Sequence, residues 1–204
     1  MGKGSLGAAL LLLAMLAGNA SANPELRPVS IAPQLAPDPA LRAALVEAIK
    51  ASDSFEDRFN AEVWLSDMSD RLKRFRPGAL PDVHERLAFL RLLHSEATRA
   101  KLPPELVLAV IDIESRFDRF AVSHAGAQGY MQVMPLWLNE VGRPYDNLFK
   151  ADINLRMGCT ILKYYLDREK GSLVRALRAY NGNERISSYS DKVLTALSYR
   201  WFRQ

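Results

Sequence analysis

Hydrophobic residues recur at helical spacing through most of the chain after residue 40, with apolar positions three and four residues apart. Turn residues interrupt this pattern, with Pro77-Gly78 after one apolar stretch and Gly171 after another. A first helix is predicted to open at Asp38-Pro39, where an N-cap residue precedes a proline suited to the first helical position. Further helices are predicted over residues 55–75, 81–100, 104–113, 153–170, 173–180 and 190–202. These elements indicate an all-α protein.

The helix predicted over residues 104–113 lacks a polar face, since only Asp112 interrupts its run of apolar side chains. A helix that is apolar all round is a buried helix. It is too short to cross a bilayer, which takes roughly 20 residues. Pro104 suits its first position. The sequence therefore predicts a central helix inside the core of the domain.

Glu114 follows at the end of this buried helix. Apolar surroundings and the negative end of the helix dipole both disfavour the ionised carboxylate, so its pKa is expected to be raised. A carboxyl that stays protonated near neutral pH can act as a general acid. The alternative is an ordinary helix-end glutamate that is solvated or paired with Arg116. Only the neighbouring motifs favour the catalytic interpretation.

The segment over residues 126–135 combines glycines with polar and sulfur-containing side chains. Gly126 and Gly129 allow backbone conformations, or the close approach of another chain, that a side chain would block. Gln132 offers donors and an acceptor to an amide or a hydroxyl. Met134 is a flexible apolar filler, for which core packing is an equally good explanation. A sugar chain lying against this backbone would have these requirements.

The first 39 residues are predicted to be a targeting segment and a linker. Residues 1–22 contain a lysine, an apolar run and small residues before Asn23, which is typical of a cleaved signal peptide. An uncleaved anchor is the alternative, but the apolar run is short for a membrane span. Residues 23–39 are rich in proline and are predicted to be an extended linker. Residues 40–80 are predicted to form an N-terminal helical extension, and residues 81–204 the main domain.

Charge and cysteine content indicate which partners and cofactors the protein is expected to have. The formal net charge is +4, and the sequence has no basic stripe with interleaved aromatic residues, so nucleic acid is not an expected partner. Cys159 is the single cysteine and cannot form an internal disulfide. Three histidines and one cysteine provide no cluster of metal ligands. Neither a metal nor another cofactor is therefore expected.

Three motifs carry a resemblance to a known family. They are, in chain order, Glu114-Ser115, the block GAQGYMQVMP over residues 126–135, and the triplet Ala179-Tyr180-Asn181. In this order and at this spacing they resemble the soluble lytic transglycosylase (SLT) domain of family 1, over roughly residues 81–197. The resemblance implies an α-helical, lysozyme-like catalytic domain that cleaves bacterial peptidoglycan without a cofactor.

The same resemblance implies roles for individual residues. Glu114 matches the family's catalytic acid, Ser123 matches a position near the acetamido group, and Tyr180 is expected within hydrogen-bonding reach of Glu114. The residues that match substrate-contacting positions are Ser123, Gln132, Met134, Tyr180 and Asn181. The chain departs from the family pattern at Tyr130, where leucine is usual, and at Asn183, where glycine is usual.

The acids near these motifs bear on the mechanism. Ordinary glycosidases use two carboxylates, but Asp112 should point away from Glu114, and Asp118 is expected to cap backbone groups in a turn. One acid suffices when the substrate supplies the nucleophile. The resemblance implies that Glu114 protonates the leaving oxygen of the MurNAc–GlcNAc bond. It then takes the proton of the MurNAc 6-hydroxyl, which attacks C1 and forms a 1,6-anhydro end.

Other functions stay open at this point. A hydrolytic muramidase of goose-lysozyme type would use the same acid with water as the nucleophile. A non-catalytic peptidoglycan-binding protein, or a helical scaffold of an envelope machine, would not use Glu114 for chemistry. The helical extension is expected to be a packing element, with a wall of the glycan groove carrying Trp64 as the alternative.

The predicted location is the periplasm, reached through the signal peptide. The expected partners are peptidoglycan glycan strands. No stable membrane anchor is expected after signal cleavage, and a partner within an envelope complex is left open.

Overall fold

The computed structural model describes residues 39, 58–141, 143, 145–182 and 188–202. The predicted signal peptide, nearly all of the proline-rich linker and the helix predicted to open at Asp38-Pro39 lie outside the described residues. The described residues form seven α-helices and a closing π-helical turn. These are α1 (Arg58–Phe75), α2 (Val83–Arg99), α3 (Pro104–Glu114), α4 (Leu136–Val141), α5 (Ala151–Arg168), α6 (Leu173–Tyr180), α7 (Ser188–Ala196) and the π turn (Leu197–Trp201).

This arrangement confirms the predicted all-α class for the described part of the chain. The β-type pairings found there are isolated bridges that join Gln128 to Val122 and to Val133. Asp82 caps α2, because its side chain accepts a hydrogen bond from the backbone N–H of Glu85 at 2.8 Å. None of the described helices combines the length and the apolar character needed to span a membrane.

Two segments differ from the prediction. The residues after Pro135, for which no helix was predicted, begin with the short helix α4, because Trp137 and Leu138 pack against the core. The last helix begins at Ser188, two residues earlier than predicted, which places Tyr189 on its buried face. In both cases tertiary packing extends helical structure beyond what local sequence signals indicate.

Helix α3 lies at the centre of the domain and confirms the prediction of a buried helix. Its six side chains from Leu106 to Ile111 are at most 2% exposed. Helices α2 and α7 and the π turn pack around it. Burying one large apolar side chain stabilises a fold by roughly 1.5–3 kcal/mol. This single helix therefore contributes a large part of the hydrophobic stabilisation.

Helix α1, from the N-terminal extension, packs on this core through α2 and the π turn. Trp64 is 4% exposed, and its indole N–H donates a hydrogen bond to Oε1 of Glu105 at 2.8 Å. The Trp64 ring meets the His94 ring edge-on at 4.9 Å. Because Trp64 is a core residue, its burial excludes the alternative in which it stacks on a sugar.

Asp112 on α3 is a buried acid, at 1% exposed. Its carboxylate pairs with Arg76, accepts a hydrogen bond from Arg200 at 2.7 Å and accepts another from the indole N–H of Trp201 at 3.1 Å. Arg76 follows α1, and the other two partners belong to the π turn. Asp112 thus joins three parts of the chain and points away from Glu114, as the helical spacing predicts.

We expect Asp112→Asn to destabilise the domain by about 3 kcal/mol, because removing one partner of a buried ion pair leaves the others uncompensated. The matched control is Asp67→Asn, since Asp67 pairs with Arg71 at 2.9 Å on a partly exposed face of α1. A pair of that kind contributes less than about 1 kcal/mol. Urea denaturation measures both, and equal effects would rule out Asp112 as a structural anchor.

Candidate active site

Glu114 is the last residue of α3, at the point where the buried helix emerges into a partly exposed position. Its Oε1 accepts a hydrogen bond from the hydroxyl of Tyr189 at 2.6 Å. Tyr189 is buried in the first turn of α7, which packs against α3. The chain turns sharply after Ser115, since Arg116 and Phe117 adopt left-handed backbone with φ of 53° and 66°. Such conformations cost roughly 1–3 kcal/mol each and cluster at functional sites.

The electrostatics of Glu114 match the expectation from its place in the sequence. Burial raises the pKa of its carboxyl from 4.5 to about 7, and the hydrogen bond from Tyr189 opposes this shift without cancelling it. Burial, with the nearby negative charge of Glu114, also raises the pKa of the Tyr180 and Tyr189 hydroxyls well above 10. Both phenols therefore stay neutral donors, while Glu114 exchanges its proton near neutral pH.

Tyr189, and not Tyr180 as predicted, donates the hydrogen bond to Glu114. The hydroxyl of Tyr180, at the end of α6, donates to the backbone carbonyl of Met131 at 2.7 Å instead. Tyr180 is still close enough to Glu114 to feel its charge. The available signal for Tyr189 was its helical spacing with Val193, which extends the apolar face of the last helix by one turn.

Asn154 on α5 fixes the loop that carries the second motif. Its side chain is completely buried, and its Oδ1 accepts a hydrogen bond from the backbone N–H of Met131 at 2.8 Å. Its Nδ2 donates to the backbone carbonyls of Gln128 and Leu148, each at 2.9 Å. One amide therefore satisfies three buried backbone groups, which holds the loop against α5.

Two glycines make this close approach possible. Gly129 has a φ of 74°, and a Cβ there would lie 2.4 Å from Nδ2 of Asn154. A Cβ on Gly158 would lie 2.5 Å from the sulfur of Met131 and 2.7 Å from its Cβ. Since α5 and the loop approach each other closely at these points, Asn154 and Gly158 serve packing and backbone approach.

Ser115 joins the same loop to the end of α3. Its hydroxyl donates to the backbone carbonyl of Tyr130 at 2.8 Å and lies 3.2 Å from the carbonyl of Ile111. The loop is therefore held from two sides, by Ser115 and by Asn154. This arrangement places the loop beside Glu114, as the order of the motifs predicts.

The other predicted site residues lie on or next to this loop. Ser123 accepts a hydrogen bond through Oγ from the backbone N–H of Ala127 at 3.0 Å. Gln132 adopts left-handed backbone, and its Nε2 donates to the carbonyls of Ala121 and Gly129 at 3.1 and 3.0 Å. The side-chain amide of Gln132 is thus held in one orientation.

Met134 and Asn181 are less constrained. Met134 is partly buried just before α4. Asn181 is exposed at the C-cap of α6, where its backbone N–H bonds to Leu177 at 3.1 Å. The structure therefore brings Glu114 and Tyr180 together with the loop and leaves Asn181 on the surface. Among the described residues, no group of three or more histidine, cysteine or acidic side chains could hold a metal ion.

Comparison with known proteins agrees with the geometry of the site. The profile of the family described as "Transglycosylase SLT domain" matches residues 91–196, just over half of the chain. Similar relatives are proteins named membrane-bound lytic murein transglycosylase C from three strains of Actinobacillus pleuropneumoniae, each 43% identical over 47 residues. The aligned segment is 23% of this chain and covers only 13% of each relative.

A solved structure is also similar over part of the chain. It is the lytic transglycosylase Slt from Pseudomonas aeruginosa, in an inactive mutant form, with 30% identity and a TM-score of 0.41. The similarity covers 46% of this chain and 16% of that chain.

We expect Tyr189→Phe to raise the pKa of Glu114 further above 7, because the lost hydrogen bond stabilises the ionised carboxylate. Titration of the Glu114 side-chain carboxyl by carbon-13 NMR measures the shift. Tyr199→Phe is the matched control, since Tyr199 is 80% exposed and should leave the titration unchanged. A lower or unchanged pKa in Tyr189→Phe would contradict the assigned hydrogen bond.

Gly158→Ala should destabilise the domain by roughly 1–3 kcal/mol, because the added methyl group overlaps Met131 and forces the loop away from α5. Gly78→Ala is the control, since a Cβ there meets nothing within 4 Å. Thermal denaturation of both variants measures the difference. If Gly158→Ala melts like Gly78→Ala, the loop is not packed on α5 as described.

Proposed function

This chain belongs to the transglycosylase SLT domain family, and we propose on that premise that it is a lytic transglycosylase of bacterial peptidoglycan. It cleaves the β-1,4 bond between MurNAc and GlcNAc and leaves a 1,6-anhydroMurNAc end. The observation that supports this most directly is the half-buried Glu114 carboxyl, which accepts a hydrogen bond from Tyr189 and whose pKa is raised to about 7. The relatives carry matching names, but this chain covers 13% of their length, so the assignment rests on this site.

Glu114 acts first as an acid and then as a base. It protonates the glycosidic oxygen as the bond to C1 breaks, and the resulting carboxylate takes the proton from the MurNAc 6-hydroxyl. A single group serves both steps best when its pKa lies near the working pH. Because Tyr189 donates to Oε1, we assign Oε2 as the oxygen that faces the glycosidic bond.

The substrate supplies the nucleophile in this mechanism. The two acids nearest to Glu114 in the sequence are already engaged, since Asp112 is buried in ion pairs with Arg76 and Arg200. Asp118 accepts the backbone N–H of Phe120 at 2.8 Å and so caps a turn. Both observations support a one-acid mechanism, in which the acetamido group and the 6-hydroxyl of MurNAc replace a second carboxylate and water.

The glycan strand binds along the loop beside Glu114. We assign sugar contacts to Ser123, Gln132, Met134, Tyr180 and Asn181, with Ser123 nearest the acetamido group. The loop is well suited to this role, because Asn154 and Ser115 hold its backbone from both sides. A rigid support of this kind preorganises a site for its ligand.

The proposed location is the bacterial envelope, in the periplasm. The support is the signal-peptide pattern of residues 1–22 and the nature of the substrate. The relatives are named as membrane-bound, whereas we propose that this protein is released after signal cleavage.

The test is mass spectrometry of purified peptidoglycan digested with the protein and with Glu114→Gln. The wild type should release anhydro-muropeptides, and Glu114→Gln should lower their rate of formation at least 100-fold, as expected for loss of a general acid. Asp191→Asn, a change at an exposed acid in the first turn of α7, is the matched control and should keep full activity.

Other products would contradict the proposed transglycosylase activity. Reducing-end muropeptides would make the protein a muramidase that uses water. An absence of products from the wild type would favour a binding or scaffold protein.

A further inference from the structure

A surface cavity of about 310 Å³ is lined in part by the turn that follows Glu114. Its walls are the turn between α1 and α2 over residues 78–81, the start of α2 at Glu85, and residues 116–119. Tyr130 lines it as well. None of the residues assigned above to catalysis or sugar binding lines this cavity, and its volume is at the lower end for ligand pockets.

The Tyr130 hydroxyl is the least expected feature of the cavity. Tyr130 is 4% exposed, and its ring packs against Phe89 at 4.5 Å. Its hydroxyl makes no hydrogen bond within the described part of the chain. Burial raises the pKa of this hydroxyl to about 12, so it remains a neutral donor. Tyr130 lines the cavity, and a phenol hydroxyl that has no protein partner is available to a ligand.

Four charged residues line the same cavity, two of each sign. Arg116 and Arg119 carry positive charge, and Glu85 and Asp118 carry negative charge. The pKa of the Tyr130 hydroxyl responds to Arg119, Glu85 and Asp118, so these charges lie within electrostatic range of it. Equal numbers of cations and anions favour a ligand that itself carries both charges.

The side chains of Asp118 and Arg119 in this turn are already held by contacts within the protein. The guanidinium of Arg119 donates to the backbone carbonyl of Phe149 at 3.3 Å and lies 4.8 Å from the centre of the Phe120 ring. One carboxylate oxygen of Asp118 accepts the backbone N–H of Phe120. Arg116 lines the cavity with left-handed backbone at φ 53°, and it makes no ion pair within the described residues. These contacts reduce the entropy lost on binding.

We propose that this cavity binds the zwitterionic end of a diamino acid in the peptide stem attached to MurNAc. Such an end carries an ammonium and a carboxylate on one carbon, which pair with the acids and the arginines of the cavity. The Tyr130 hydroxyl donates to the same carboxylate. The inference rests on the proposed function, because only an enzyme that acts on peptidoglycan meets such stems.

The position of the cavity in the chain supports this assignment. Arg116 follows Glu114 by two residues, and Tyr130 precedes Gln132 by two residues. A stem attached to a MurNAc ring at the cleavage site thus passes a turn whose neighbouring residues hold the sugar. The turn over residues 78–81 gives the N-terminal extension a part in substrate selection.

The first experiment compares kcat/KM on three kinds of glycan strand: with diaminopimelate-type stems, with lysine-type stems that lack the second carboxylate, and without stems. Arg116→Gln should lower kcat/KM about tenfold on the first substrate, as expected for loss of a charge-assisted hydrogen bond. Tyr130→Phe should lower it about threefold to tenfold, while its ring still packs against Phe89. On strands without stems both variants should stay within twofold of the wild type.

The matched control is Arg175→Gln, an exposed arginine on α6 that does not line the cavity. It should change none of the three rates. If the wild type cleaves all three substrates equally well, and the variants lose nothing on the first, the cavity proposal is wrong while the proposed function stands. If the wild type forms no anhydro product from any strand, the proposed function fails. The binding experiment below then tests the cavity proposal separately.

The second experiment measures binding without turnover. Free stem peptide containing diaminopimelate, titrated into nitrogen-15-labelled full-length protein, should shift the amide signals of Gly78, Arg116 and Arg119. A lysine-type peptide, and Arg116→Gln with the original peptide, should each bind at least tenfold more weakly. No shift at these amides, or equal affinity for both peptides, would overturn the assignment.

Discussion

The burial of α3 on all sides sets both the stability and the chemistry of this domain. Two of its carboxyl groups are two residues apart and have opposite surroundings. Asp112 faces two guanidinium groups and an indole N–H, so its charge is compensated inside the core. Glu114 has one neutral phenol as its partner, and burial raises its pKa to about 7. One helix therefore carries a structural anion and a group able to transfer a proton near neutral pH.

Side chains of α5 and α6 hold the loop beside Glu114 in place. Asn154 makes two of its three hydrogen bonds to the loop backbone and the third to the carbonyl of Leu148, and Gly158 lets Met131 pack directly on α5. Tyr180 binds the same stretch of loop through the Met131 carbonyl. Asn154 and Gly158 thus position the loop from the side of α5, while Ser123, Gln132 and Met134 remain for the proposed sugar contacts.

This division of labour accounts for how one acid supports the proposed reaction. Burial raises the pKa of Glu114, and the hydrogen bond from Tyr189 orients its carboxyl group. In the proposed reaction the substrate provides the nucleophile. The turn after Glu114 also lines the cavity at Tyr130, together with two arginines and two acidic residues. Selection by the stem peptide and chemistry on the glycan would then share one rigid turn, since the left-handed residues Arg116 and Phe117 connect the two places.

The sequence alone determined what depends on local periodicity and on residue type. It predicted every described helix except α4, the burial of α3, the perturbed Glu114 and the close approach at Gly129, because helical spacing and missing side chains are visible in the order of residues. Only the tertiary structure identifies the hydrogen-bond partner of Glu114. Tyr189 lies 75 positions away along the chain, and the order of the motifs had predicted Tyr180 instead. The ion pairs of Asp112 and the cavity at Tyr130 likewise join distant segments. Their distances follow from how helices pack, which no local pattern encodes.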